Sequence, residues 1–205
     1  MKRNMTAAEA LTKVFGQRAQ RDCTECGYVY VKGNLEDEQV HDKHHKKRLA
    51  IVDAQPSPLL ATMASKEGVI EVPGCDSATP EWLNDRVYGC AWALAKERRY
   101  DSAPWSSVPG TMPRGSEALA FLIVDSDGRQ LGAVAFARAE YKDAEFDWQL
   151  AWIWLSPLYR RQGITSQLWP YLTNRFGEFY VQPPASEEFD SFLRAHKAWP
   201  YNGSI

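Results

Sequence analysis

The apolar positions of this chain recur with helical period in some stretches and as short unbroken runs in others, and turn residues separate the two. Near the N-terminus Leu11, Val14 and Phe15 form one face of a helix over 7–15, with Thr6 and Glu9 as a capping box. After a proline-containing linker at 53–65, residues 66–72 predict a first strand. Thr79-Pro80-Glu81 then has the cap, proline and acid order of a helix start. Trp82, Leu83, Val87, Cys90, Ala91 and Leu94 make a broad apolar face, and Lys96 to Arg99 place cations at the C-terminal end. Leu119–Val124 and Gln130–Ala137 predict two strands joined by the turn Asp125-Ser126-Asp127-Gly128. A third strand follows over Trp148–Leu155, then a helix reaching residue 176 that Pro170 must bend or interrupt. Phe179-Tyr180-Val181 is one more strand, and 187–197 a closing helix with Phe189, Phe192 and Leu193 inward. This order implies an α/β sandwich with a mixed sheet.

Composition narrows the class. A chain of 205 residues with 44% hydrophobic residues and a formal charge of −2 reads as globular, and as neither a disordered nor a strongly basic protein. The longest strongly apolar run, Ala118 to Val124, is too short to cross a bilayer, and Met1-Lys2-Arg3-Asn4 leads into no signal-peptide core. The expected location is intracellular, cytoplasmic in a prokaryote and nuclear in a eukaryote. Of the four cysteines, Cys75 and Cys90 are isolated and expected as free thiols.

Cys23 and Cys26 have metal-ligand spacing, and the segment that follows carries His41, His44 and His45. A Cys-x-x-Cys knuckle and two histidines one helical turn apart offer four soft or borderline ligands that converge on Zn²⁺ in a tetrahedron. His41 and His45, at i and i+4, share a helix face; His44, at i+3 from His41, is the fallback. Four protein ligands leave no open position, so the zinc is structural and contributes to the folding of a unit too small to stand alone. The basic tail His44-His45-Lys46-Lys47-Arg48 raises nucleic-acid binding as a secondary expectation. A single finger opening on Glu36-Asp37-Glu38 lacks the basic field that such binding draws on.

The second concentration of chemistry follows the aromatic strand Trp152-Ile153-Trp154-Leu155. There Ser156-Pro157 closes the strand, and Arg160-Arg161-Gln162-Gly163 opens a helix containing Ile164 and Leu168. The first helical turn presents backbone N–H groups without intrahelical partners, reinforced by the helix dipole, which makes an anion site. Gly163 admits a close approach of phosphate, and Arg160 and Arg161 add charge.

Arg-Arg-Gln-Gly-Ile-Thr after an apolar strand resembles the acetyl-CoA pyrophosphate loop of the GNAT acetyltransferases, with Thr165 in place of the usual small last residue. Phe15-Gly16, Cys-x-x-Cys-Gly-x-x-Tyr and Glu-Asp-Glu-x-x-His-x-x-His-His are similar to the zinc finger of the sister-chromatid cohesion acetyltransferases, where it is fused to a GNAT domain. The similarity runs from about residue 15 to about residue 192. It implies a GNAT-like mixed β-sheet flanked by helices, with a small N-terminal ββα-type zinc finger. The implied division is 1–50 for the N-terminal helix and finger, 51–65 for a linker and 66–205 for the transferase domain.

By the same resemblance the backbone of Ile153, Trp154 and Leu155 holds the pantetheine arm of acetyl-CoA. Arg160, Arg161, Gln162, Gly163, Ile164, Thr165 and Ser166 hold the pyrophosphate, and Pro184, Ala185 and Ser186 complete the wall. The family's catalytic Ser and Asp correspond here to Ala151 and Gln182, neither of which can take a proton. Strand alternation places Asp147, Gln149 and Ala151 on one face, so Asp147 becomes a candidate base acting through a water. Glu187 is a second candidate, and Tyr180 and Tyr201 are candidate acids for the leaving thiolate. Trp105 and Trp199 are candidates for an acceptor groove. The resulting expectation is an acetyl-CoA-dependent N-acetyltransferase acting on lysine side chains of a protein acceptor, with a structural zinc and no membrane partner. The alternatives are acetylation of a small-molecule amine, or a catalytically weak acyl-CoA and zinc-finger module acting through partner or nucleic-acid contacts.

Overall fold

A computed structural model describes residues 20–23, 26, 28–112, 117–138, 146–183 and 185–196. The helix expected over 7–15, Pro184, Trp199 and Tyr201 lie outside the described residues. The chain divides into two compact units, 1–49 and 50–205.

In the first unit β1 (Gln20–Asp22) pairs antiparallel with β2 (Val29–Val31), matching Gln20 with Val31 and Asp22 with Val29. Just beyond the paired residues the Cys23 N–H donates to the Tyr28 carbonyl at 2.9 Å. Helix α1 (Leu35–Val52), whose residues 50–52 fall in the second unit, then starts on Asn34, whose side-chain oxygen accepts from the Glu36 N–H at 3.2 Å. Glu36, Asp37 and Glu38 fill its first turn, where the dipole favours acids. Two of them reach back to the hairpin: Asp37 accepts from the Val31 N–H at 3.1 Å and Glu38 from the Gly33 N–H at 2.9 Å.

The second unit is built on a sheet of order β3 (Val69–Pro73), β4 (Ala118–Val124), β5 (Gln130–Arg138), β6 (Trp148–Leu155) and β7 (Tyr180–Val181). The first four strands are antiparallel and β7 joins parallel, so the sheet is mixed. β4 is apolar throughout because both its faces are covered. Ala120, Leu122 and Val124 join Ile70, Val72, Ala133 and Ala135 in the core on the side of helix α3 (Glu81–Arg98). Phe121, Val134, Phe136 and Leu150 join Leu168, Trp169 and Leu172 from helix α4 (Ile164–Phe176) and Leu193 from helix α5 (Glu187–Ala195) on the other.

Several expectations are modified. The segment 51–65, expected as a linker, carries helix α2 (Pro58–Met63), and its Leu60 is fully buried in the core. Gly128, at φ +75° in the β4–β5 turn, is where a Cβ would overlap the Ser57 carbonyl, so the turn and the start of α2 approach as closely as backbone allows. Thr79 does not cap α3; its hydroxyl donates to the Pro73 carbonyl at 2.9 Å, and helical bonding begins at the Pro80 carbonyl. Pro170 does not interrupt α4. A proline there withholds one donor from the ladder, while the flanking Trp169 and Leu172 are anchored in the core. No helix of the described residues is long and apolar enough to cross a membrane.

Candidate functional site

In the first unit Cys23, Cys26, His41 and His45 come together, each with a ligand atom within 4.8 Å of the others. Cys23 Sγ lies 3.5 Å from His45 Nδ1. A tetrahedron with metal–sulfur bonds of about 2.3 Å and metal–nitrogen bonds of about 2.0–2.1 Å has edges of roughly 3.3–3.8 Å, so this separation is that of two ligands on one ion. His41 turns Nδ1 toward the Asp42 carboxylate at 3.6 Å and buries Nε2 without a hydrogen-bond partner, which leaves Nε2 as the donor atom. His44 stands outside the cluster; its ring stacks on Tyr28 with centroids 4.7 Å apart. Tyr30 stacks on His41 at 4.1 Å, fixing that ring from one side. Burial pushes the Cys26 thiol up, and the neighbouring Cys23 adds to this, so a metal entering the site displaces protons from sulfur. The donor set and spacing fit Zn²⁺, closed to solvent ligands.

In the second unit the parallel pairing of β6 with β7 covers only Gln149 with Tyr180 and Leu150 with Val181, and the last bond is the Gln182 N–H to the Leu150 carbonyl at 3.0 Å. Beyond it the two strands part, and the edge of β6 over Ala151–Leu155 faces a groove. Two adjoining cavities make up that groove, of about 320 and 420 Å³, and they share Leu94, Arg98, Ile153, Ser186 and Phe189. The smaller includes Tyr100, Ala151, Trp152 and Gln182; the larger runs past Trp154 and Leu155 to Arg160, Arg161 and Gly163–Ser166.

A β-bulge shapes the floor. β5 pairs Phe136 with Leu150 but Ala135 with Trp152, so Ala151 is the inserted residue. Leu150 and Trp152, two apart, therefore pack on opposite faces of the sheet. The alternation that grouped Asp147, Gln149 and Ala151 does not hold across this point. Asp147 is exposed, pairs with Arg138 at 3.4 Å and lines neither cavity. Glu187 is exposed in the first turn of α5 and also lines neither, nor does Tyr180. Of Asp147, Tyr180, Gln182 and Glu187, Gln182 alone borders the groove. Trp105 is 4% exposed; it donates its indole N–H to Asn84 at 2.9 Å and meets Trp152 edge-on, so it is core and not an acceptor surface.

At the far end Arg161 and Gly163 have φ of +62° and +77°, and Gly163 caps α4. The first intrahelical bond runs from the Gln167 N–H to the Gly163 carbonyl at 3.0 Å, so the N–H groups of Ile164, Thr165 and Ser166 precede the ladder. Arg160 spends donors on the protein: Nε on the Leu155 carbonyl at 2.9 Å and a terminal nitrogen on Glu97 at 2.7 Å. Glu188, on the opposite wall, is held below the usual carboxylate range by its own backbone N–H and by the Ser186 hydroxyl, with Arg161 and Arg98 adding in the same direction.

Leu94, Glu97, Arg98 and Tyr100 are groove residues; the sequence places the first three in a core helix and at its charged end and gives Tyr100 no role. The available signal was the change from Leu94 on the apolar face to Glu97 and Arg98 one turn later, at the end of a helix.

Residues 12–47 match the family described as the zinc-finger of acetyl-transferase ESCO, and residues 81–181 match the acetyltransferase (GNAT) family. No curated protein matches the chain.

Proposed function

Since the chain belongs to the GNAT acetyltransferases, with an ESCO-type zinc finger ahead of the transferase domain, we propose that it transfers acetyl from acetyl-CoA to lysine side chains of a protein acceptor. The observation that carries this is the groove itself: an unpaired strand edge leading from the Ala151 bulge to the N-terminus of α4. A pantetheine arm is a chain of amides that can hydrogen-bond along such an edge, and a pyrophosphate suits the helix N-terminus with Arg161 beside it. Ala185 and Ser186 close the wall opposite. Cys23, Cys26, His41 and His45 hold a structural zinc that folds the finger. We take the finger as the unit that ends near residue 50 and assign the segment of Leu60 to the transferase, whose core it enters.

The lysine nitrogen attacks the thioester carbon, the carbon–nitrogen bond forms, the carbon–sulfur bond breaks and the thiolate leaves, while the nitrogen gives up a proton. Among the described residues lining the smaller cavity none is a carboxylate; Arg98 and Tyr100 are its ionisable groups. Gln182 can orient the acceptor by hydrogen bonds but cannot take its proton. On this reading catalysis is chiefly positioning, and the amine enters already neutral. The rate constant kcat/KM at limiting acceptor then rises with pH by about tenfold per unit toward the lysine pKa of about 10.4. A plateau near neutral pH that Asp147→Asn abolishes restores Asp147 as the base, acting through a water.

The decisive experiment incubates the zinc-loaded protein and isotopically labelled acetyl-CoA with a cell extract and locates the label by mass spectrometry. Label on protein lysines supports the proposal. Label confined to a small amine moves the acceptor class, and no transfer at all defeats it.

A further inference from the structure

The carboxylate of Glu97, near the C-terminal end of α3, uses both oxygens on groove elements far from it in sequence. Oε1 accepts from the Trp154 indole N–H at 3.0 Å, and Oε2 accepts from Arg160 at 2.7 Å. The same guanidinium donates through Nε to the Leu155 carbonyl at 2.9 Å. One acid thus joins the wall of the groove, its floor on β6 and the arginine loop at its end. Glu97 is more enclosed than its partner, with side-chain exposures of 28% for Glu97 and 42% for Arg160.

We propose that Glu97 is a positioning residue for the coenzyme groove, and that Arg160 acts as a strut held by Glu97 and is not a phosphate contact. The inference rests on the acetyl-CoA reading of the groove and assigns roles within it. Arg160 cannot turn to a phosphate without giving up a charge-assisted hydrogen bond to Glu97 and a second bond to the Leu155 carbonyl. Its charge is already matched by Glu97. Arg161 and Arg98, which line the same cavity and face Glu188, are left to meet the anion with the N–H groups of α4. Trp154 belongs to the arrangement because its ring is buried in the core between α3 and the sheet while its N–H reaches Glu97. Removing the acid therefore loosens the floor as well as the loop.

The two roles for Arg160 predict opposite signs for one substitution. With Arg160 as a phosphate ligand, Glu97→Gln deletes a negative charge beside the anion and strengthens acetyl-CoA binding. With Arg160 as a strut, the same change weakens it. The experiment measures acetyl-CoA affinity by calorimetry for the parent, Glu97→Gln, Arg160→Gln and the double variant, together with steady-state kinetics. Each single variant is expected to raise Kd and the KM for acetyl-CoA about fivefold, as for a partly exposed charge-assisted pair. The double variant should be no worse than either single one, and kcat and the acceptor KM should stay within about twofold, a pattern that general destabilisation does not produce. Glu97→Gln binding as tightly as the parent or more tightly, or losses that add in the double variant, would overturn the strut. Failure of the parent itself to bind acetyl-CoA sinks the coenzyme reading beneath it, and that result is read before any variant is made.

Discussion

The finger and the transferase unit reach a defined structure by different physics. Among the described residues of the first unit Cys26 is the one buried apolar side chain, whereas Val29, Leu35, Val40 and Leu49 are exposed. The second unit buries apolar side chains on both faces of its sheet, with the rings of Phe136, Phe176 and Phe179 in mutual contact and Phe121 against the first two. The finger's geometry depends on four ligand atoms; that of the groove depends on elements up to a hundred residues apart. The difference teaches where each is vulnerable: one to loss of a single ion or ligand, the other to loss of volume in its core.

The strongest way to break the comparison is to remove the metal. Chelation, or Cys26→Ser, should unfold the finger outright, because zinc binding supplies on the order of 10 kcal/mol to units of this kind. Zinc content by mass spectrometry and amide chemical shifts of 20–49 are the readouts. A melting transition of the transferase unit that falls along with them would refute the separation of the two. The converse is Phe136→Ala, which removes a fully buried ring stacked on Phe176 with centroids 4.0 Å apart. It should cost about 3–5 kcal/mol in urea unfolding of the second unit and leave one zinc per chain.

These two outcomes mirror what could be read in the sequence. Ligand spacing is local: Cys23 and Cys26 share one knuckle and His41 and His45 one helix face, so residue type and interval suffice to nominate them. The strand and helix order of the second unit is also carried by local periodicity. The groove is different, since its walls come from the end of α3, the edge of β6 and the start of α5. Periodicity labels each of these by its buried face and is silent on the other. The bulge at Ala151 is hidden for a related reason: strict alternation is assumed in reading a strand, and one inserted residue reverses every assignment beyond it. Trp105 misled because an aromatic in a Pro/Gly/Ser loop looks solvent-facing, whereas Asn84 supplies the buried partner its indole needs.

A smaller effect sharpens the comparison inside the transferase unit. Gly163→Val places a β-branched residue at φ +77°, a conformation that costs an L-residue about 1–2 kcal/mol. A Cβ there meets no protein atom within 4 Å, so the substitution acts on the backbone turn and on whatever approaches it, not on the core. Acetyl-CoA affinity should fall about tenfold or more, while the urea midpoint falls only by the roughly 0.5–1 M that this strain implies. Unchanged affinity would mean that the helix N-terminus is not the anion site.

The smallest expected effect tests how far the finger's stability resides in its four ligands. His44 and His45 are adjacent, and it is His45 whose Nδ1 lies 3.5 Å from Cys23 Sγ in the four-residue cluster. The His44 ring lies nearly parallel to Tyr28, with an interplanar angle of 16°. His44→Ala therefore removes a stacking contact worth about 0.5–1.5 kcal/mol and leaves the coordination intact. Zinc stoichiometry should remain one per chain, with at most about a tenfold loss in zinc affinity against a competing chelator. His45→Ala in parallel should give a finger that fails to retain zinc under the same competition, because three ligands and a water replace a closed site. If instead the two alanine variants lose zinc equally, the histidines exchange at the metal, and the finger owes its definition to its packing more than the cluster implies.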